Sequence, residues 1–195
     1  MNHNITVERF GIRLRPITMD DAEFIFKLRR SPELSKYIGE IDSRYAVHEA
    51  WLKEYFHREG DYYFCIELLS GVPIGTIAIY DIDGQAGNWG RWIISDSIPA
   101  APASVWLIFH VAFDILGLSS VFSNTVIENA SVVSFHDHCG LPRTGIERNG
   151  LTIRGVPYDM VIHTATKENW PTVQQRLEKP AILAERLLGE TPESN

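Results

Sequence analysis

Several residue patterns are scarce in this chain, and each scarcity closes off a function class. Only two cysteines occur in 195 residues, Cys65 and Cys139, with no CxxC spacing. They support no disulfide framework and read as two buried thiols in a reducing compartment. A catalytic Cys139 beside His136 and His138 is the alternative. The HDHC run at 136–139 lacks the second ligand pair of a usual zinc site, so no metal is expected. Lysine and arginine total 18 against 25 aspartates and glutamates, a formal net charge of -7. A nucleic-acid binder normally presents a basic face, so no nucleic-acid partner is expected. Long apolar runs are missing too. The longest, Val105 to Leu118, is broken by His110 and Asp114 and falls short of the roughly 20 apolar residues that span a bilayer. The opening MNHNITVERF has no apolar signal core. No membrane partner and a cytoplasmic location are therefore expected.

Glycine is absent from one telling place. None stands between Gly90 and Gly117, yet WIISDSIPAAPASVW (92–106) reads as a strand that feeds a helix through a turn of Pro, Ala and Ser. The unpaired N–H groups at a helix start, with the helix dipole, attract phosphate without any side chain. Glycine helps the backbone approach the anion, and alanine and serine are the next-smallest choices. Pro99 and Pro102 lack an N–H but pre-set φ near the helical value. Ser97 and Ser104 offer hydroxyls. The turn reads either as a phosphate cradle without glycines or as an ordinary helix entry.

What is present describes one domain over residues 1–170, with a helical extension and a frayed tail over 171–195. GIRLRPI (11–17) alternates as a strand does, and 19–30 places Phe24, Ile25 and Leu28 on one helical face. Residues 44–58 form a second helix. Then come three consecutive antiparallel strands at 61–69, 72–82 and 88–96. The order changes to helix 103–116, strand 119–127 and helix 129–138, with Gly140 placed as a left-handed cap. A hairpin of 141–148 and 156–166 closes the sheet. From Trp170 the chain is helical, and Pro180 is expected to interrupt it. The sum is a mixed α+β domain with one strand–helix–strand crossover. Its sheet changes character near 88–127, where a ligand crevice can open.

Two stretches carry the chemistry in this order: the 92–104 turn and VIENASVVSFHDHCGL (126–141). Together they resemble the GNAT N-acetyltransferase family over residues 10–168. The family's closing motif N-x-x-A-x-x-F-Y-E-K-L-G-F is read here as Asn129-Ala-Ser-Val-Val-Ser-Phe135-His136-Asp-His-Cys-Gly140-Leu141. The start LRPITMDDAEFIFKLRRSPEL is similar to the family's opening. Similarity is closest to the RimJ/RimL-like branch and to sugar-nucleotide N-acetyltransferases. The resemblance implies a central mixed sheet of about seven strands flanked by about four helices, plus the C-terminal helix. It also implies acetyl-CoA as donor and direct transfer to a primary amine of a small molecule, a nucleotide-linked amino sugar among the candidates. A peptide amine acceptor and a catalytically silent acyl-CoA-binding module are the alternatives. A homodimer is ordinary for the family.

The resemblance assigns residues as follows. Trp92, Ile93 and Ile94 offer backbone groups to the pantetheine arm. The loop from Ser97 to Ser104, with Ala100, Ala101 and Ala103, holds the pyrophosphate; Pro99 and Ala101 stand in glycine places. Asn129 reaches the pantetheine amide or the adenosine side, and Phe135 packs on the arm. The tyrosine acid of many members is replaced by His136, which donates a proton when charged or relays one. The glutamate base is replaced by Asn88, so Asp81 and Asp83 are the substitutes, with His110 and Glu67 behind them. Tyr37, Trp51, Tyr80, Trp89 and Trp92 are aromatic enough to stack an acceptor. Arg29, Arg30 and Arg91 suit a diphosphate.

Overall fold

The computed structural model describes residues 3–95 and 98–190. Its strands are β1 (Val7–Arg9), β2 (Ile12–Pro16), β3 (Tyr62–Leu68), β4 (Pro73–Asp83), β5 (Ala86–Ile94), β6 (Ser120–Val126), β7 (Arg143–Ile153) and β8 (Val156–Thr166). Its helices are α1 (Ala22–Arg30), α2 (Tyr45–Tyr55), α3 (Ala101–His110), α4 (Ala130–Cys139) and α5 (Trp170–Glu190). The eight strands form one sheet in the order β1-β2-β3-β4-β5-β6-β8-β7. Neighbours are antiparallel except β5 and β6, which are parallel.

The alternation in β2 is real: Ile12 and Leu14 are fully buried while Arg13 and Arg15 stay partly exposed. Those two arginines grip Glu67, and Arg15 also forks onto Asp21, which accepts from Thr18 N. This network ties β2, β3 and the start of α1 together. On one sheet face, α3 and α5 pack with each other over the main core. On the other face, α1 and α2 cover Tyr63, Cys65 and Ala78. Both cysteines are buried and free, and burial pushes each thiol up to about 12. Neither thiol forms a thiolate near neutral pH, which argues against a nucleophilic Cys139.

The architecture is the expected α+β sheet, with particular differences. β1 adds an eighth strand that the sequence pattern did not mark. The helix expected at 103–116 starts two residues earlier, and after His110 it continues as a π-helical turn, Val111–Ile115. Pro180 lies inside α5 without ending it. The buried stripe Val173, Leu177, Ala181 and Ala184 runs straight past the proline. Packing of that face against α3 outweighs the one lost backbone bond.

Candidate active site

β5 and β6 pair only over Ala86–Asn88 and Ser120–Phe122. Beyond Asn88 the two strands part, and the gap is the mouth of a cleft of about 630 Å³. A bulge in β5 sharpens the divergence. Ala78 pairs with Gly90 and Thr76 pairs with Ile93, so Arg91 and Trp92 together stand opposite Ile77, one residue too many for a regular ladder. Arg91 takes a left-handed φ of 48°, and its carbonyl accepts from Thr76 Oγ1 at 2.8 Å. The neighbouring strand makes room at Gly75, where an added Cβ would stand 2.4 Å from the Ile93 carbonyl oxygen. Gly75→Ala is therefore expected to displace the end of β5 and to destabilise the protein by about 1–3 kcal/mol. Denaturant titration measures the loss, and an unchanged midpoint would mean that β5 yields without strain.

One wall of the cleft is the far half of β5, with Trp89, Trp92, Ile93 and Ile94. The opposite wall is β6 from Ser123 to Val126 with Asn129 and His136 of the α4 segment. Ala101, at the start of α3, lies at one end. No side chain caps that helix, and Ala100 precedes it as N-cap. The loop 33–39 closes the other side, with Tyr37.

His136 is 1% exposed, and neither ring nitrogen has a hydrogen-bond partner among the described residues. Its ring stacks on Trp92 at 6.2 Å and 18°, and lies 5.1 Å from Trp89 and 5.0 Å from His163. Burial, reinforced by His163, lowers its pKa to about 3. The expectation of a charged imidazolium acid is thus corrected: the ring stands neutral at physiological pH. Behind it, His163 Nε2 lies 3.1 Å from Asp137, whose carboxylate is forked to Arg143. Those pairings hold Asp137 well below the usual carboxylate range.

The other expected residues divide clearly. Trp92, Ile93, Ile94, Ala101, Asn129, Tyr37, Tyr80, Trp89 and Arg91 all line the cleft. Phe135 packs on Trp92 at 5.4 Å behind the lining. Ala100, Ala103 and Ser104 are fully buried and do not reach the cleft. The Ser104 hydroxyl donates to the Ala101 carbonyl and accepts from Trp92 Nε1, so it positions the tryptophan. Ser97 lies outside the described residues. Asp81 and Asp83 are exposed at the β4–β5 turn and do not line the cleft. Glu67 is held by Arg13 and Arg15, and His110 pairs with Asp114, both away from the cleft. Trp51 lies in a separate cavity of about 320 Å³ and stacks on Tyr55. Arg91 is not a free cation: both its terminal nitrogens fork onto Asp61 at 2.6 and 3.0 Å, and it lies over Tyr80 at 4.3 Å.

The profile of the acetyltransferase (GNAT) domain family matches residues 12–142. The chain belongs to the GNAT acetyltransferase family. It is an enzyme of the N-acetyltransferase class, as its resemblance had implied. Among solved structures, a GCN5-related N-acetyltransferase from Brucella melitensis superimposes with a TM-score of 0.77 at 20% identity. The match covers 91% of this chain and 85% of that one. Spermidine N-acetyltransferase from Vibrio cholerae, solved in complex with CoA and spermine, gives a TM-score of 0.77 at 18% identity. That match covers 84% of this chain and 99% of the Vibrio one. These likenesses concern the fold. No curated protein sequence matches the chain. No helix among the described residues is long and apolar enough to cross a membrane, and no three metal-ligating side chains among them gather at one point.

Three features of the GNAT cleft bear on its fit to acetyl-CoA. Beyond Asn88, β5 has no strand partner on the β6 side. Trp89 Nε1 and both His136 nitrogens are buried without a partner among the described residues. The uncapped start of α3 opens onto the same space. An extended, amide-bearing arm that ends in a diphosphate matches these three features. Sequence reasoning missed β6 residues Ser123, Asn124 and Thr125, and the Asp61–Arg91 pair. A lone Asp before a strand and an Arg in mid-strand carry no signal that they meet.

Proposed function

We propose that the protein transfers the acetyl group of acetyl-CoA to the primary amine of a small molecule, with both bound in the cleft at once. The observation that carries this reading is the divergence of β5 from β6 beside an unpartnered, neutral imidazole. Acetyl-CoA supplies the thioester whose C–S bond breaks as the amine nitrogen takes the acyl carbon. The outer edge of β5 near Ile93 and Ile94 points amides at the arm and the reacting carbonyl. His136 carries one proton and one lone pair in its neutral form. It accepts the proton that the amine loses on one nitrogen and returns a proton to the departing sulfur from the other. No net charge then builds in a pocket that disfavours one. The amine enters already neutral; among the described residues, Glu33 is the one carboxylate that lines the cleft.

Trp92, Ile93, Ile94, Ala101, Asn129 and Phe135 would hold the donor. Tyr37, Tyr80 and Trp89 would wall the acceptor, which supports a sugar-bearing amine of the nucleotide-linked kind and a place near the RimJ/RimL-like branch. Thiol release from acetyl-CoA across an amine panel tests the reading, and silence with every amine would sink it. Ala101→Asp is expected to weaken acetyl-CoA about tenfold by placing a negative charge at the start of α3. Calorimetric titration reads this directly. Equal affinity of the two proteins would move the diphosphate away from α3.

A further inference from the structure

The cleft and the smaller cavity between α1 and α2 share a charged side chain, Arg29, at the last turn of α1. Its Nη2 donates to the Gly39 carbonyl at 2.7 Å, and its Nε is buried with no acceptor among the described residues. The carboxylates around it are all engaged by other donors. Asp61 is forked to Arg91 and Asp42 to Arg44. Glu40 accepts from Arg154 N, and Glu33 accepts from Ser31 Oγ. Among the described residues, no carboxylate forms an ion pair with Arg29. Arg91 lines the same cleft as Arg29, and burial, with Arg91 as a smaller cause, disfavours the charged form of Arg29.

A guanidinium drawn out of water beside another cation, without a counter-ion, is costly, and folds rarely keep one idle. The planar fork of arginine matches a carboxylate or a phosphate. We propose that Arg29 receives an anionic oxygen group, carboxylate or phosphate, on the acceptor molecule, while the amine of that molecule lies toward His136. This rests on the acetyl-transfer reading and narrows its acceptor. Arg91 is held by Asp61, so the anion site has one free guanidinium rather than the three expected from the sequence. Lys36, which also lines the cleft, adds positive charge of the same sign. A polycationic amine such as spermidine meets Arg29 and Lys36 as repulsion, against the single carboxylate of Glu33.

The test measures thiol release at saturating acetyl-CoA with matched amines. Glucosamine and glucosamine 6-phosphate form one pair, an amino acid and its amide form another, and spermidine is the cation. The natural protein is expected to prefer the anionic member of at least one pair by about tenfold or more in kcat/KM. Preference within the first pair identifies phosphate, and within the second, carboxylate. Arg29→Gln is expected to bring that ratio close to one, and Arg29→Lys to keep part of it. The lysine variant, which retains the charge, secures the result should the glutamine variant fold poorly. A ratio that neither substitution changes, or a natural protein that prefers spermidine or the neutral amines, overturns the inference and leaves acetyl transfer standing. No thiol release with any of these amines overturns both.

Discussion

His136→Phe is expected to lower turnover at least tenfold while leaving acetyl-CoA affinity within about twofold. Phenylalanine keeps a flat ring against Trp92 and Trp89 but removes both nitrogens. The same substitution is expected to leave stability near neutral pH almost unchanged or slightly improved. The imidazole is buried with no partner among the described residues for either nitrogen, and removing a buried unsatisfied polar group relieves its desolvation penalty. Two buried nitrogens that gain no hydrogen bond among the described residues, in a ring that lines the cleft, fit a role in chemistry rather than in stability. Unchanged turnover would take His136 out of the mechanism.

The pH dependence of stability gives a second readout of that variant. The folded pKa of His136 lies at about 3 against an ordinary 6.5. As pH falls below about 6.5 the unfolded chain takes up a proton that the folded protein refuses until about pH 3. Stability is therefore lost as pH falls across this window, by up to about 1.4 kcal/mol per pH unit from this group. His48 and His3, also lowered by burial, act in the same direction. Denaturant titrations at pH 4.5, 5.5 and 7 should show a shallower acid loss in His136→Phe than in the natural protein. Parallel slopes would mean that the histidine is not held neutral.

The sequence revealed the order of elements because each long element repeats its burial with the right period. β2 alternates, α1 buries Ala22, Ile25 and Leu28, and Gly140 takes the left-handed cap that its position in the closing motif required. β1 has three residues and no buried face, so no period exists to find. The helix break expected at Pro180 fails because tertiary packing overrides a local penalty. In the site, the motif residues Asn129, Phe135 and His136 were legible as a unit, since one helix displays them in fixed register. Asp81 and Asp83, expected as the base, do not line the cleft, for a geometric reason. They end a strand that points away from the β5–β6 gap, and which end of a hairpin faces a cleft is set by sheet order. Arg29 and Arg30 are adjacent and indistinguishable as letters. Only the packing of the 31–44 loop shows that one is half-buried and the other exposed.

Asp61→Ala is expected to destabilise the protein by about 3–5 kcal/mol, the usual consequence of removing one partner of a buried ion pair. The Asp61 side chain is 9% exposed and that of Arg91 is 16% exposed. Arg58 also approaches Asp61, at 4.0 Å, so the loss leaves two guanidiniums facing one another. Arg91 is the residue whose left-handed backbone makes the bulge in β5. The pair therefore pins the bulge that lies just past the point at which β5 leaves β6. A second expectation follows from that position: acetyl-CoA binding weakens in Asp61→Ala although Asp61 does not line the cleft. Arg91→Met alone leaves a buried carboxylate and should be similarly damaging. The double variant Asp61→Leu with Arg91→Met leaves no unpaired charge and is expected to lose much less than the sum of the single losses. Strict additivity would mean that the two side chains do not act as a pair, and that the bulge is held by Thr76 and Gly75 alone. Recovered stability without recovered acetyl-CoA affinity would separate the two roles: the ion pair would then be needed for the shape of the β5 edge rather than for the survival of the fold.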